Sequence, residues 1–295
     1  MSCNISSHSE DSLVFPNGID AEYLQFLEYR CALIAESVYK LIDLADAGMP
    51  AASPKQIQEI FGSSDVLFHE DNGFHAKLYC DIRSNQFILG FGGTTFDNIN
   101  DWITNINQFL GQKSEHYIQG IELVNKIRDN YIDKIIVTGH SLGGGIATVT
   151  AITRKLNSYV FNPPAIHINT LEKLDCLNLT SAENRIKRFV VSGEILDLIN
   201  KTISIQHRQI GTKIPLYGSG KISVFSGLLG RQFTKILVPN PVVTLISTIG
   251  IPLLQKSVHL HSMKEVFHGL KNHLSSFNHC NSSEEFLFES PRVRT

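Results

Sequence analysis

The pentapeptide Gly139-His140-Ser141-Leu142-Gly143 constrains this chain more than any other stretch, because of what stands on either side of it. Before it, Lys134-Ile-Ile-Val-Thr138 is a short β-branched run of the kind buried on both faces of a parallel sheet. After it, Ile146, Ala147, Val149, Ala151 and Ile152 mark a helix of small apolar residues. A strand that turns sharply into a helix needs flanking glycines to remove Cβ atoms from a crowded bend, and it leaves the central serine projecting. Gly144 and Gly145 extend that relief. A projecting hydroxyl can be approached by a base and by a carbonyl carbon, and the helix N-terminus supplies partial positive charge for an oxyanion. A glycine-rich strand-to-helix turn can also serve close packing or phosphate binding. The strand before and the helix after select Ser141 as a candidate nucleophile.

The remaining periodicity predicts an α/β chain. Apolar residues from Ala21 to Ala47 recur at three- and four-residue spacing, which predicts an amphipathic helix ended by Gly48 and Pro50. Phe74, Ala76, Leu78 and Cys80 alternate with polar or aromatic neighbours as in a half-buried strand, and a Ser84-Asn85 turn leads to Phe87-Ile-Leu-Gly-Phe91, giving a hairpin. Helical patterns follow at Asn100 to Leu110 and at Tyr117 to Asn130, where Ile118, Ile121, Val124 and Ile127 share a face. Tyr159-Val-Phe161 and Arg188-Phe-Val-Val191 read as further central strands. Strands alternating with helices predict a doubly wound, mostly parallel sheet. We expect a polar leader over 1–20, then one domain over 21–295. Within it, an apolar lid-like or interfacial insertion is expected at about 212–257, since Ile236 to Leu254 carries no charge. Pro239, Pro241 and Pro252 argue against a membrane-spanning helix there.

Composition narrows the function classes. The formal net charge of −2, from 26 basic and 28 acidic residues, supplies no cationic field for nucleic acid. The balance of 42% hydrophobic against 18% charged residues implies exposed apolar area, suited to lipid or a partner. Cys3, Cys31, Cys80, Cys176 and Cys280 stand singly, a pattern expected of neither a disulfide scaffold nor a zinc site, and so of a reduced, cytoplasmic place of synthesis. Residues 1–20 have no basic and apolar signal-peptide regions, so export would need a dedicated machine.

Beyond the turn, Gly73-Phe74-His75-Ala76-Lys77-Leu78-Tyr79, Phe91-Gly92-Gly93-Thr94-Thr95, Asp101-Trp102-Ile103-Thr104-Asn105 and Val137-Thr-Gly-His-Ser-Leu-Gly-Gly144 follow one another. In that order they resemble class 3 lipases, over roughly Ala32 to Asn200. The resemblance implies the α/β-hydrolase fold and an oxyanion hole whose donors map onto Thr94 and, by the backbone amide after the nucleophile, Leu142. Gly92 stands where that family usually carries arginine, so the pairing made by that arginine is absent here.

A serine nucleophile also requires a histidine base and a carboxylate that orients it. In this fold the acid follows a later strand, where Glu194 and Asp197 are the candidates. Similar lipases carry their acid directly after the strand, which favours Glu194; Asp197 is the readier helix cap. Chain order demands a histidine farther on; His259, His261, His268, His273 and His279 qualify, with His207 at the margin. His261 follows the apolar insertion and precedes a helical pattern through Met263, Val266, Phe267 and Leu270, the place where similar lipases put their histidine, and it is preferred over His259. His140 is expected beside the nucleophile for shape. No metal or organic cofactor is required by such chemistry.

The apolar stretch from Val224 to Leu254 lies where class 3 lipases and bacterial phospholipases A1 place acyl-contacting elements. The resemblance therefore implies a lipid substrate at a membrane surface, phospholipid ahead of triacylglycerol. The polar leader resembles bacterial lipase effectors delivered by a contact-dependent apparatus, with which an immunity or adaptor protein would be associated. Two rival readings are a catalytically silent α/β-hydrolase that binds lipid or protein, and a toxin that inserts Ile236 to Leu254 into a membrane.

Overall fold

The computed structural model describes residues 19–40, 42–64, 66, 72–93, 115–176, 179, 182–202, 207–219 and 251–284, without the side chains of 201–202, 251–255 and 277–284. The expected helix at Asn100 to Leu110, Thr94, the Asp101 to Asn105 motif, most of the leader and residues 220–250 of the apolar insertion lie outside them.

The described elements run in the order α1 (Leu27–Lys40), α2 (Pro54–Phe61), β1 (Ala76–Asp81), β2 (Gln86–Phe91), α3 (Glu115–Asn125), β3 (Ile135–His140), α4 (Leu142–Arg154), β4 (Asn157–Phe161), β5 (Ile166–His167), α5 (Ile168–Lys173), α6 (Ala182–Arg185), β6 (Ile186–Val191), α7 (Ile195–Thr202), β7 (His207–Arg208), β8 (Thr212–Leu216), α8 (Ile251–Leu260) and α9 (Met263–Glu284). Six strands form one sheet in the order β1-β2-β3-β4-β6-β8. Only β1 runs antiparallel to its neighbour; β2, β3, β4, β6 and β8 pair in parallel. β5 and β7 make a separate antiparallel pair. Among the described residues this is the doubly wound, mostly parallel sheet that the sequence predicts.

Each face of the sheet carries its own apolar layer. On one side α3 and α4 contribute Tyr117, Leu123, Val124, Ile146, Val149 and Ile152 against Leu89 and Val137. On the other, α1 and α9 contribute Leu33, Ile34, Val38, Val266 and Leu270 against Ile88, Ile136 and Phe189. Arg30 of α1 is buried with Asp81 at the end of β1, Nε to Oδ2 at 2.9 Å, and donates further to the carbonyls of Leu24 and Gln25. Truncating either member of such a buried pair strands the other, at a cost of about 3–5 kcal/mol.

Five expectations are corrected. The helix drawn over Ala21 to Ala47 is a 3₁₀ turn, Ala21–Gln25, then α1 from Leu27, because Phe26 is extended. Past Lys40, Asp43 accepts the Ala45 amide at 3.0 Å and a turn closes at Gly48, bringing Leu44 and Met49 into the core. The strand at Ala76–Asp81 is buried on both faces, since α1 covers Tyr79, whose hydroxyl is 2.7 Å from that of Ser37. The buried face of α3 departs from the expected one at Ile118, while Val124 and Ile127 are buried as expected. Ile118 is 39% exposed while Tyr117, Gly120 and Val124 face inward, because a Cβ on Gly120 would come within 2.5 Å of Ile146: the close helix contact sets the orientation.

The fourth concerns the apolar insertion, whose ends belong to the scaffold. Thr212–Leu216 is β8, paired in parallel with β6 and burying Leu216, and residues 251–257 open α8, where Ser257 is buried. Among the described residues no helix is long and apolar enough to cross a membrane. Cys80 is disulfide-bonded, against the expectation of separate thiols, to a cysteine whose side chain is not among those described; Cys31 and Cys176 are free and buried.

Candidate active site

The carboxyl ends of β2, β3, β4 and β6 lie side by side: Phe91 pairs with Gly139, His140 with Phe161 and Phe161 with Phe189. In open parallel sheets this edge is where ligands bind. Ser141 follows β3 with φ 54° and ψ −125°, a conformation rare for a residue with a side chain. The bend is held by hydrogen bonds from the Ser141 amide to the Phe161 carbonyl, 3.0 Å, and from the Gly145 amide to the Ser141 carbonyl, 3.1 Å. The two flanking glycines are needed sterically. A Cβ on Gly139 would sit 2.3 Å from the Gly143 carbonyl carbon, and one on Gly143 would sit 2.1 Å from the Phe91 oxygen. Ser141 keeps 7% of its surface exposed.

Leu142 opens α4 beside the loop that leaves β2, close enough that a Cβ on Gly93 would lie 2.7 Å from the Leu142 Cβ. Tyr39 of α1 joins these segments: its hydroxyl donates to the His140 carbonyl at 2.8 Å and accepts the Gly93 amide at 2.7 Å. Thr94 is the next residue but lies outside the described ones, so of the expected oxyanion hole only the Leu142 half is described. The space that an arginine at position 92 would enter is filled by His75, whose Nε2 would be 1.9 Å from a Cβ on Gly92. The His75 ring meets Tyr39 edge to face.

The two acid candidates part company. β6 ends at Val191, Gly193 takes φ 82°, and Glu194 turns inward with 1% exposure. Its Oε1 accepts the Asp197 amide at 2.5 Å, and its Oε2 accepts the Leu196 amide at 2.8 Å and lies 2.6 Å from His261 Nδ1. Asp197 instead pairs with Lys213 at 2.7 Å and accepts the Gly193 amide at 3.1 Å. The cap expected of Asp197 is thus made by Glu194, whose longer side chain reaches both the start of α7 and the imidazole.

His261 sits in the turn between α8 and α9, 5% exposed. Its carbonyl receives hydrogen bonds from His140 Nε2 at 2.8 Å and Asn162 Nδ2 at 3.2 Å, and its ring lies 4.8 Å from that of His140, centroid to centroid. His259 has a side chain 63% exposed, 3.4 Å from Glu265. Glu265 also accepts the amide and hydroxyl of Ser219, at 2.7 and 2.8 Å, so it ties the end of β8 to the start of α9. His207 packs edge-on against His167, and His268 lies beside Asn272. The side chain of His279 is not described.

Burial sets the electrostatics. It lowers the His261 pKa from 6.5 to about 3, and does the same to His140, where the neighbouring His261 adds to the effect. Burial pushes Glu194 well above the usual carboxyl range, Asp197 adds to this, and the Leu196 and Asp197 amides pull back toward the ionised form. A neutral His261 that donates from Nδ1 to Glu194 presents an Nε2 lone pair, the tautomer of a general base. Asn162 and Tyr39 were missed from sequence. The one signal for Asn162 was its place, a polar residue directly after a predicted central strand.

A mostly parallel sheet with a strained serine after β3, an acid after β6 and a histidine bound to that acid from a later turn defines an α/β-hydrolase. Residues 30–235 match the phospholipase-like family described as the Tle-like phospholipase domain, and the chain belongs to that family. The extracellular phospholipase A1 of Serratia liquefaciens is 26% identical over 218 residues, 72% of this chain and 67% of that one. Among solved structures, a Yarrowia lipolytica lipase is 18% identical, with 67% of this chain and 81% of that one covered at a TM-score of 0.42. For a Rhizomucor miehei lipase the figures are 13%, 67%, 70% and 0.43. The protein is an ester hydrolase of the lipase and phospholipase class.

Proposed function

We propose that this protein cleaves acyl ester bonds of membrane phospholipids by acyl transfer through Ser141. His261 removes the Ser141 proton as the hydroxyl attacks the ester carbonyl, then returns it to the departing alcohol; water repeats the sequence on the acyl-enzyme. Glu194 holds the ring in the productive tautomer and stabilises the imidazolium. The amides of Leu142 and Thr94 receive the oxyanion. The observation that carries this reading is the 2.6 Å contact between Glu194 Oε2 and His261 Nδ1, on a histidine whose carbonyl is held by the residue next to Ser141.

Phospholipid is preferred to triacylglycerol as substrate on the strength of family membership and the Serratia relative. The uncharged run from Ile236 to Leu254 supplies apolar surface for acyl chains. That relative is named extracellular, which supports action outside the producing cell, as a secreted effector against the membranes of a rival or host and with an immunity or adaptor protein as partner.

The deciding experiment incubates the protein and its Ser141→Ala form with vesicles of defined phospholipids and identifies products by mass spectrometry. Lysophospholipid and free fatty acid from the first and none from the second are expected. Vesicles left intact while short soluble esters are cleaved would remove the phospholipid assignment. Equal membrane damage by both forms would favour insertion of Ile236 to Leu254 over hydrolysis.

A further inference from the structure

We propose that Asn162 is a positioning residue for His261, tying the turn that carries the imidazole to the end of the strand that leads to Glu194. This rests on the reading of His261 as the base.

Asn162 follows β4, which lies between β3, whose end at His140 leads into Ser141, and β6, whose end at Val191 leads to Glu194. It is fully buried and takes φ 45°. Its backbone amide donates to the Phe189 carbonyl at 2.9 Å. Its side chain spans two elements: Oδ1 accepts the Val191 amide at 2.9 Å and Nδ2 donates to the His261 carbonyl at 3.2 Å. The partners fix the orientation of the amide, because a backbone N–H can only donate and a carbonyl can only accept. His140 Nε2 supplies the second donor to the same carbonyl.

The contact with Glu194 orients the ring but leaves the backbone beneath it unspecified. The two donors on the His261 carbonyl hold that backbone, one from the end of β3 and one from the end of β4. The base is therefore referenced to three successive strand ends, and Asn162 alone among these groups also binds the strand leading to the acid. Misplacement of a reacting group by 1 Å can cost about 100-fold in rate. Loss of the Asn162 amide therefore lowers turnover while leaving substrate binding in place.

Two variants separate positioning from a purely structural role. Asn162→Gly suits the positive φ and removes both side-chain bonds. Asn162→Asp keeps an acceptor for Val191 and, where its buried carboxyl is ionised, sets an oxygen without a donor against the His261 carbonyl, so it is assayed across the alkaline range. Both are expected to lower kcat by about tenfold or more, with KM within about twofold of the parent protein. The downfield proton expected of the His261–Glu194 bond in the parent protein's NMR spectrum should broaden or shift in both variants. A parental kcat in Asn162→Gly, or an unmoved downfield proton in both variants, would overturn the proposal. The resonance is read without turnover, so a failed nucleophile assignment, shown by a fully active Ser141→Ala protein, registers in a different measurement from a failed clamp.

Discussion

Glu194 and Asp197 lie three residues apart, and only Glu194 touches the imidazole: its Oε2 is 2.6 Å from His261 Nδ1, while Asp197 is turned to Lys213. Replacing Glu194 by Gln keeps the shape and removes the charge that stabilises an imidazolium, so kcat should fall on the order of 10⁴-fold. Asp197→Asn removes the ion pair that the buried Asp197 makes with Lys213 at the same turn. It should cost stability more than rate, with kcat within about threefold. Steady-state hydrolysis and urea midpoints of both variants check this division, and the opposite ranking of kcat would reassign the acid.

Ser141 holds φ 54° and ψ −125°, strain that glycine does not share. Ser141→Gly should be inactive yet more stable than the parent, by about 1 kcal/mol once the greater freedom of the unfolded chain is subtracted. The melting temperature should rise by about 2–4 °C. Calorimetry beside a fluorophosphonate labelling assay measures both, and an unchanged or lower melting temperature would count against a strained bend.

The acid limb of kcat/KM should lie below pH 6.5, because burial lowers the His261 pKa and keeps the ring in its base form further into acid. Stability follows the same sign. His140 and His261 are depressed in the folded state, so their contribution is fully present above pH 6.5 and is lost as pH falls toward about 3. Urea unfolding at pH 7, 5 and 4 should show the decline, and a His140→Gln protein, with one buried ring fewer to charge, should decline less.

Gly92 and His75 share one space. Gly92→Ala should destabilise the protein by about 1–3 kcal/mol, and His75→Ala in the same chain should remove most of that loss. A double-mutant cycle on urea midpoints measures the coupling; strict additivity would mean that the His75 ring does not occupy the site of the missing arginine.

The turn at Ser141 was legible because its causes are local: two glycines, a β-branched run and a helix of small residues. Glu194 was legible as an acid at a strand end, and its competition with Asp197 was not resolved by spacing, since the partner of each lies far along the chain. The helix drawn to Ala47 overran because apolar spacing continues past Lys40 while the chain turns at Asp43 to bury Leu44 and Met49. The face of α3 was misjudged at Ile118 because Gly120, silent in a count of apolar residues, decides how closely two helices approach. β8 was hidden in an apolar stretch read as an insertion, for only pairing with β6 distinguishes an edge strand there. Asn162 and Tyr39 act across about a hundred residues, which no local pattern records.

Glu265 grips Ser219 at one border of residues 220–250, and α8 begins at the other and runs straight into His261. Both moorings of that span therefore stand within one turn of helix, or one short rod, of the imidazole. A cut, a graft or a pull anywhere between them delivers its mechanical load to the histidine, so splicing experiments in this region should be scored first by turnover and only then by affinity for lipid.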